Sequence, residues 1–133
     1  MTFVTDTHAL LHYITRRKGR LGRKARGAFE RVERGLDSIL IPFTVLEEVM
    51  LLCEAGKVRL SLPFRDFVIS LAYADNFDLG VNDMQLLLEA ESFTTLADPY
   101  DRLIVAQARV AGLPLITGDD RIQESGLVRT VWQ

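Results

Sequence analysis

One cysteine, two histidines, one tryptophan and four prolines are all that this 133-residue chain holds of the residue types that staple, ligate or interrupt a small fold. A single thiol excludes an intramolecular disulfide, and Cys53 lies in the apolar run Val49-Met-Leu-Leu-Cys53, where it reads as a small buried hydrophobe. A chain without disulfides fits the cytoplasm. So few histidines and cysteines argue against a zinc site. No apolar stretch approaches the roughly 18–20 residues of a membrane span. The opening segment MTFVTDTHALLHYITRRKGR places its cations after the apolar stretch and an aspartate inside it, the reverse of a secretory signal.

What is present suits one globular domain: 48% hydrophobic and 26% charged residues, in a chain able to bury about two-thirds of its unfolded surface. The net charge of −2 taken alone argues against a nucleic-acid partner. Its distribution does not. Residues 16–34 hold nine of the sixteen cations and only Glu30 and Glu33 as anions, a local charge of +7 beside a remainder of −9.

Strand-length apolar runs alternate with longer helical patterns, which predicts an α/β fold, residues 1–133, around a mostly parallel central sheet flanked by helices. Strands are expected at Phe3–Thr5, Ser38–Ile41, Leu115–Thr117 and Val128–Trp132, with a fainter signal at Phe77–Val81. Helices are expected at Thr7 to about Tyr13, Leu21–Gly35, Thr44–Ala55, about Pro63–Tyr73, Asp83–Glu91 and Tyr100–Ala111, with Gly35, Gly56 and Gly112 as helix ends. The segment Phe64–Tyr73 suits either a core helix or the face of a homodimer.

In open α/β sheets ligands collect beyond the carboxyl ends of the strands, and there the sequence places acids. Asp6 follows the first strand, and Asp119 and Asp120 follow Leu115–Thr117 across a glycine. Asp98-Pro-Tyr-Asp101-Arg102 opens the strongest helix. Each acid also has a local reading: Asp6 and Asp98 as helix caps, Asp119-Asp120 as a turn. Glu47 and Glu48 lie about equally far from the apolar centre of their helix, and periodicity does not choose between them. Carboxylates from four separated segments would repel one another at one sheet edge, and a hard divalent cation, Mg²⁺ or Mn²⁺, resolves that repulsion.

Four motifs carry a family likeness: Val4-Thr-Asp6-Thr7-His8-Ala-Leu-Leu11; Val45-Leu-Glu-Glu48 running to Gly56-Lys-Val-Arg-Leu60; Asp98-Pro-Tyr-Asp101-Arg102-Leu-Ile-Val-Ala106-Gln-Ala108; and Leu115-Ile-Thr117-Gly-Asp119. With these the chain resembles the PIN-domain ribonucleases, in particular the VapC-like toxins of toxin–antitoxin pairs. The resemblance implies a catalytic and metal-binding set of Asp6, Glu48, Asp101 and Asp119, with Asp98 as an accessory metal-site acid. It prefers Glu48 over Glu47 because the family's acid precedes the helix-ending glycine by eight residues. Thr7 and Thr117 match supporting hydroxyls, and Arg102 a structural or RNA-facing arginine. An RNA substrate such as tRNA, a cognate antitoxin and a homodimer are further implications. The chain departs from the family at Thr5, His12-Tyr13 and Pro42, and none of these removes an acid.

The cationic segment, above all Arg16, Arg17, Lys18, Arg20, Arg23 and Lys24, reads as an electrostatic track for RNA phosphates. His8 is expected as a hydrogen-bonded structural histidine near the core, and His12 and Trp132 as packing residues. Two other functions compete with the nuclease. One is a catalytically weak PIN-like binding module. The other is a haloacid-dehalogenase-type phosphatase, weakened because His8 stands where a second acid is needed and no lysine lies between Asp75 and Asp119.

Overall fold

β-branched and aromatic residues dominate the short runs that become strands, and amphipathic segments wrap them. The computed structural model describes residues 1–133. In chain order the elements are β1 (Thr2–Thr5), α1 (Thr7–Ile14), a single 3₁₀ turn (Lys18–Arg20), α2 (Arg23–Glu33), β2 (Ser38–Ile41), α3 (Phe43–Glu54) and α4 (Phe64–Tyr73). They continue with β3 (Phe77–Leu79), α5 (Met84–Glu91), α6 (Pro99–Ala111), β4 (Leu115–Ile116), α7 (Asp120–Ser125) and β5 (Thr130–Val131). The five strands form one sheet in the order β3-β2-β1-β4-β5, and every pairing is parallel.

Parallel neighbours cannot be joined by tight hairpins, so helices carry each connection. The chain steps outward from β1 to β2 and β3, then returns across the sheet to β4 and β5. The direction of travel therefore reverses between β1 and β4. In their register Val4 faces Leu115 and Thr5 faces Ile116. Such a reversal leaves a crevice at the carboxyl ends of the two strands, where α/β folds place their sites.

The core runs along both faces of the sheet. Val4, Ile39, Ile41, Leu115 and Ile116 have no exposed surface, and each such side chain contributes roughly 1.5–3 kcal/mol by leaving water. The highly charged α2 still docks firmly, because Ala25, Ala28, Phe29 and Val32 recur at helical spacing on its inner side. The Tyr13 ring of α1 stacks on Phe29 at 4.5 Å between centroids. Within α4, Phe67 and Leu71 are buried whereas Ile69 and Tyr73 are exposed, so this helix packs one face inward and leaves the other open. No helix is long and apolar enough to cross a membrane.

Helices α2, α3 and α6 stop at the three glycines expected, and at Gly112 the backbone takes φ +68°, which only glycine adopts without strain. One element departs from expectation. The Gly118-Asp119-Asp120 turn continues into α7, a six-residue helix too short to reveal a period and held by the Asp119 side chain accepting from Ile122 N–H at 3.0 Å.

Between α2 and β2, buried Asp37 accepts a 2.7 Å hydrogen bond from Arg31 Nε. That bond holds the Asp37 carboxyl below its ordinary value of 3.8. A lowered value means the unfolded chain binds protons first, so this contribution is complete above pH 4 and is lost as acid protonates the carboxylate. Asp37→Asn is expected to lower the melting temperature at pH 7, with the gap to the parent protein narrowing as pH falls below the ordinary value of 3.8. Thermal melts across that range check it.

Candidate active site

Asp6 is the first residue beyond β1, and its backbone N–H still extends the sheet by donating to Ile116 C=O at 3.1 Å. Its side chain caps α1: Oδ1 accepts from Ala9 N–H at 2.8 Å. The other oxygen, Oδ2, accepts from the Thr117 hydroxyl at 2.5 Å. Thr117, fully buried at the end of β4, accepts in turn from the Asp119 N–H at 3.1 Å. One threonine therefore fixes two acids delivered by two neighbouring strands. Thr7, at the start of α1, donates to Glu48 Oε1 at 2.6 Å and holds that side chain against the same crevice.

Asp98 caps α6 through the Tyr100 N–H at 2.8 Å, Pro99 occupies the first helical position, and Asp101 lies in the first turn. These elements enclose a cleft of about 340 Å³ lined by Asp6, Glu48, Asp98, Asp101 and Asp119, and by Thr7. Asp6, Asp98 and Asp119 each cap a helix and also line the cleft. Capping uses one carboxylate oxygen of Asp6, Asp98 and Asp119 and leaves the second for other work. Three helix N-termini consequently point their positive ends at one concavity.

No cation pairs with any of these acids; the chain's ion pairs lie elsewhere. Burial raises the Asp6 carboxyl above its ordinary value, opposed by the hydrogen bonds from Thr117 and Ala9. Burial likewise raises Glu48, with Thr7 opposing and Asp98 adding repulsion. Asp101 is pushed up to about 7, first by burial and then by Asp98, Asp119, Glu48 and Asp6. It carries no hydrogen bond to offset them.

Such a set suits a hard divalent ion held partly through water. No three of the side chains close on a single point as a cage for a bare ion would require. Mg²⁺ is ordinarily bound by one or two carboxylates and keeps several waters, so an open cleft with carboxylates on several walls is the matching geometry.

Among the expected site residues, Asp6, Thr7, Glu48, Asp98, Asp101 and Asp119 come together, with Thr117 directly beneath. Glu47 is not among the cleft residues. Arg102 turns away: its Nε donates to Leu96 C=O and its side chain borders a separate depression with Leu87 and Pro99. His8 is a correction, since it is exposed and lines the cleft instead of sitting in the core. His12 and Trp132 also line the cleft. The Trp132 indole rests on Gly118, where a methyl group would meet the ring at 2.6 Å. No local signal marks it, because it reaches the cleft only through the pairing of β4 with β5. None of Arg16, Arg17, Lys18, Arg20, Arg23 and Lys24 lines the acidic cleft.

The PIN domain family profile matches residues 3–126. No curated protein matches the sequence. Among solved structures, VapBC2 from Rickettsia felis, bound to a DNA fragment from its promoter, is similar with a TM-score of 0.69 and 15% identity over 100% of both chains. DNA-bound VapBC from Salmonella typhimurium is similar with a TM-score of 0.65 and 19% identity, covering 98% of this chain and 96% of that one. A toxin–antitoxin complex from Klebsiella pneumoniae gives 0.60 and 19%, over 88% and 86%. At these identities the likeness is one of fold.

The raised Asp101 value sets a pH signature. Between about 4 and 7 the folded protein keeps a proton that the unfolded chain has lost, so metal-free stability falls as pH rises through that window. Asp101→Asn removes the penalty. The variant is expected to melt above the parent protein at pH 8 and close to it at pH 4, as measured by thermal melts in EDTA.

Proposed function

This chain belongs to the PIN-domain family, whose members are nucleases, and on that premise we propose that it is a divalent-metal-dependent endoribonuclease, the toxin of a toxin–antitoxin pair. The observation that carries the reading is the single cleft in which acids from four separated segments meet without a cation. Asp6, Glu48, Asp101 and Asp119, with Asp98 at the rim, would hold Mg²⁺ or Mn²⁺. When bound, the metal supplies an acidified water and neutralises charge on the phosphate.

The chain's own residues do the positioning. Thr117 and the Ala9 N–H lock both oxygens of Asp6, and Thr7 orients Glu48. The N-termini of α1, α6 and α7 face the place a phosphodiester would occupy, where their dipoles favour an anion. Asp101 holds a proton near neutral pH while no metal is bound, and a cation held there would displace that proton to solvent water.

The matched structures that contain VapBC complexes support a cognate antitoxin as partner. A homodimer, a cytoplasmic setting and tRNA as the target belong to the same reading. The full acid set favours an enzyme over a silent binding module. A dehalogenase-type phosphatase fits less well, because His8 stands where its second acid is needed and no lysine lines the cleft.

Purified protein is expected to cut RNA with added Mn²⁺ and to stop on addition of EDTA. Asp6→Asn retains a competent cap residue, so it should fold normally yet lose at least about 100-fold in rate. Metal-independent cleavage that survives Asp6→Asn contradicts the mechanism. Thr117→Val keeps the shape and removes the hydroxyl, and a roughly 10–100-fold loss of Mn²⁺ affinity is expected by titration calorimetry.

A further inference from the structure

The acidic cleft does not end at its histidines. His8 and His12 line both the cleft and an adjoining depression bordered by Arg17, Lys57 and Arg59. Thr15 and Arg59 then line both that depression and a third one, which includes Arg16 and Leu60. The three adjoin in series through these shared residues as one groove. Beyond the cleft no aspartate or glutamate lines it, in a chain with more acids than bases. Its four cations, Arg16, Arg17, Lys57 and Arg59, are exposed and make no ion pair.

The other basic residues of the segment are differently placed. Lys18 is held by Glu33 at 3.4 Å and lies over the Tyr13 ring. Lys24 borders a different depression, shared with Phe3 and Asp37. Lys57 and Arg59 come from the loop after α3, more than forty residues along the chain from the α1 terminus, and supply the groove's other cations.

A second observation singles out Arg16. Helix α1 ends with Arg16 N–H donating to Tyr13 C=O at 3.2 Å and Arg17 N–H donating to His12 C=O at 2.7 Å, a turn whose left-handed position is normally glycine. Arg16 occupies it at φ +60°, the only non-glycine residue with positive φ. Glycine closes the other helix ends of this kind at positions 35, 56, 112 and 126. The strained position thus carries a side chain that lines the groove, where glycine would carry none.

We propose that this acid-free groove is the track that carries the phosphate backbone of single-stranded RNA to the acid cluster, with Arg16, Arg17, Lys57 and Arg59 as its phosphate contacts. The proposal rests on the ribonuclease reading and extends it. The groove offers what the cleft lacks without metal, a surface that attracts a polyanion, and it delivers the strand directly to Asp6 and Glu48. Charge complementarity and continuity with the acids favour RNA over an acidic protein segment.

The test uses the full chain carrying Asp6→Asn, a fluorescein-labelled single-stranded RNA oligonucleotide, and fluorescence anisotropy over a salt series. Adding Lys57→Ala with Arg59→Ala is expected to weaken binding about tenfold and to reduce the slope of log affinity against log salt by about 1.4, two contacts at roughly 0.7 each. Removing the same charge through Arg34→Ala with Arg129→Ala should leave the slope unchanged. Arg16→Gly should raise the melting temperature and still weaken RNA binding, a combination that a merely structural arginine does not give.

An unchanged slope in the Lys57/Arg59 variant, or an equal loss in the Arg34/Arg129 variant, overturns the track. So does release of a co-expressed antitoxin by Lys57→Glu with Arg59→Glu while RNA binding stays intact, since the groove then belongs to a protein. Failure of the ribonuclease reading is separate: the unaltered protein with Mn²⁺ would then cut no RNA at all.

Discussion

Pairing Thr5 with Ile116 across the β1–β4 ladder brings Asp6 within hydrogen-bonding reach of a threonine 111 residues away. The Asp6 backbone remains in the ladder, so its carboxylate leaves the sheet at a fixed point and in a fixed direction. Thr117 donates to Asp6 and accepts from the Asp119 N–H, which ties the start of α7 to the end of β1. A one-residue slip in this register would send Thr117 to the other face of the sheet. The cleft would then lose its floor, and the acids of α6 would face nothing.

Around that fixed point the acids serve two purposes with separate atoms. Asp6, Asp98 and Asp119 stabilise α1, α6 and α7 as caps, typically worth about 1 kcal/mol each. The same caps prevent the carboxylates from swinging outward to relieve their repulsion. Asp101, which caps nothing, absorbs the strain by holding its proton up to about pH 7. The metal-free protein thus gives up stability to keep anions close together, a common cost where a site must be ready before its ligand arrives.

Net charge describes this molecule poorly because charge is separated by surface. Acids gather in the cleft, while the groove leading from it through His8 and His12 has cations only. Much of the basic segment 16–34 forms the outer side of α2, whose inner side is small and apolar. That exterior is what a solvated helix needs, and none of it lines the cleft.

The sequence by itself determined the α/β alternation, the helix ends at Gly35, Gly56 and Gly112, and the acids at strand and helix ends, because periodicity, capping and turn preferences act over a few residues. It also carried the family motifs, which chose Glu48 where helical period left Glu47 equal. Local signals failed where placement depends on distant segments. The short α7 has no period to read, Trp132 reaches the cleft only because β5 pairs with β4, and Arg102 turns toward Leu96 instead of the acids. Lys57 and Arg59 fall within the second family motif without a role there and gain one from the depression they share with Arg17. Tertiary structure decided these, since strand order and register alone set which residues meet, and neither is a property of any short stretch of chain.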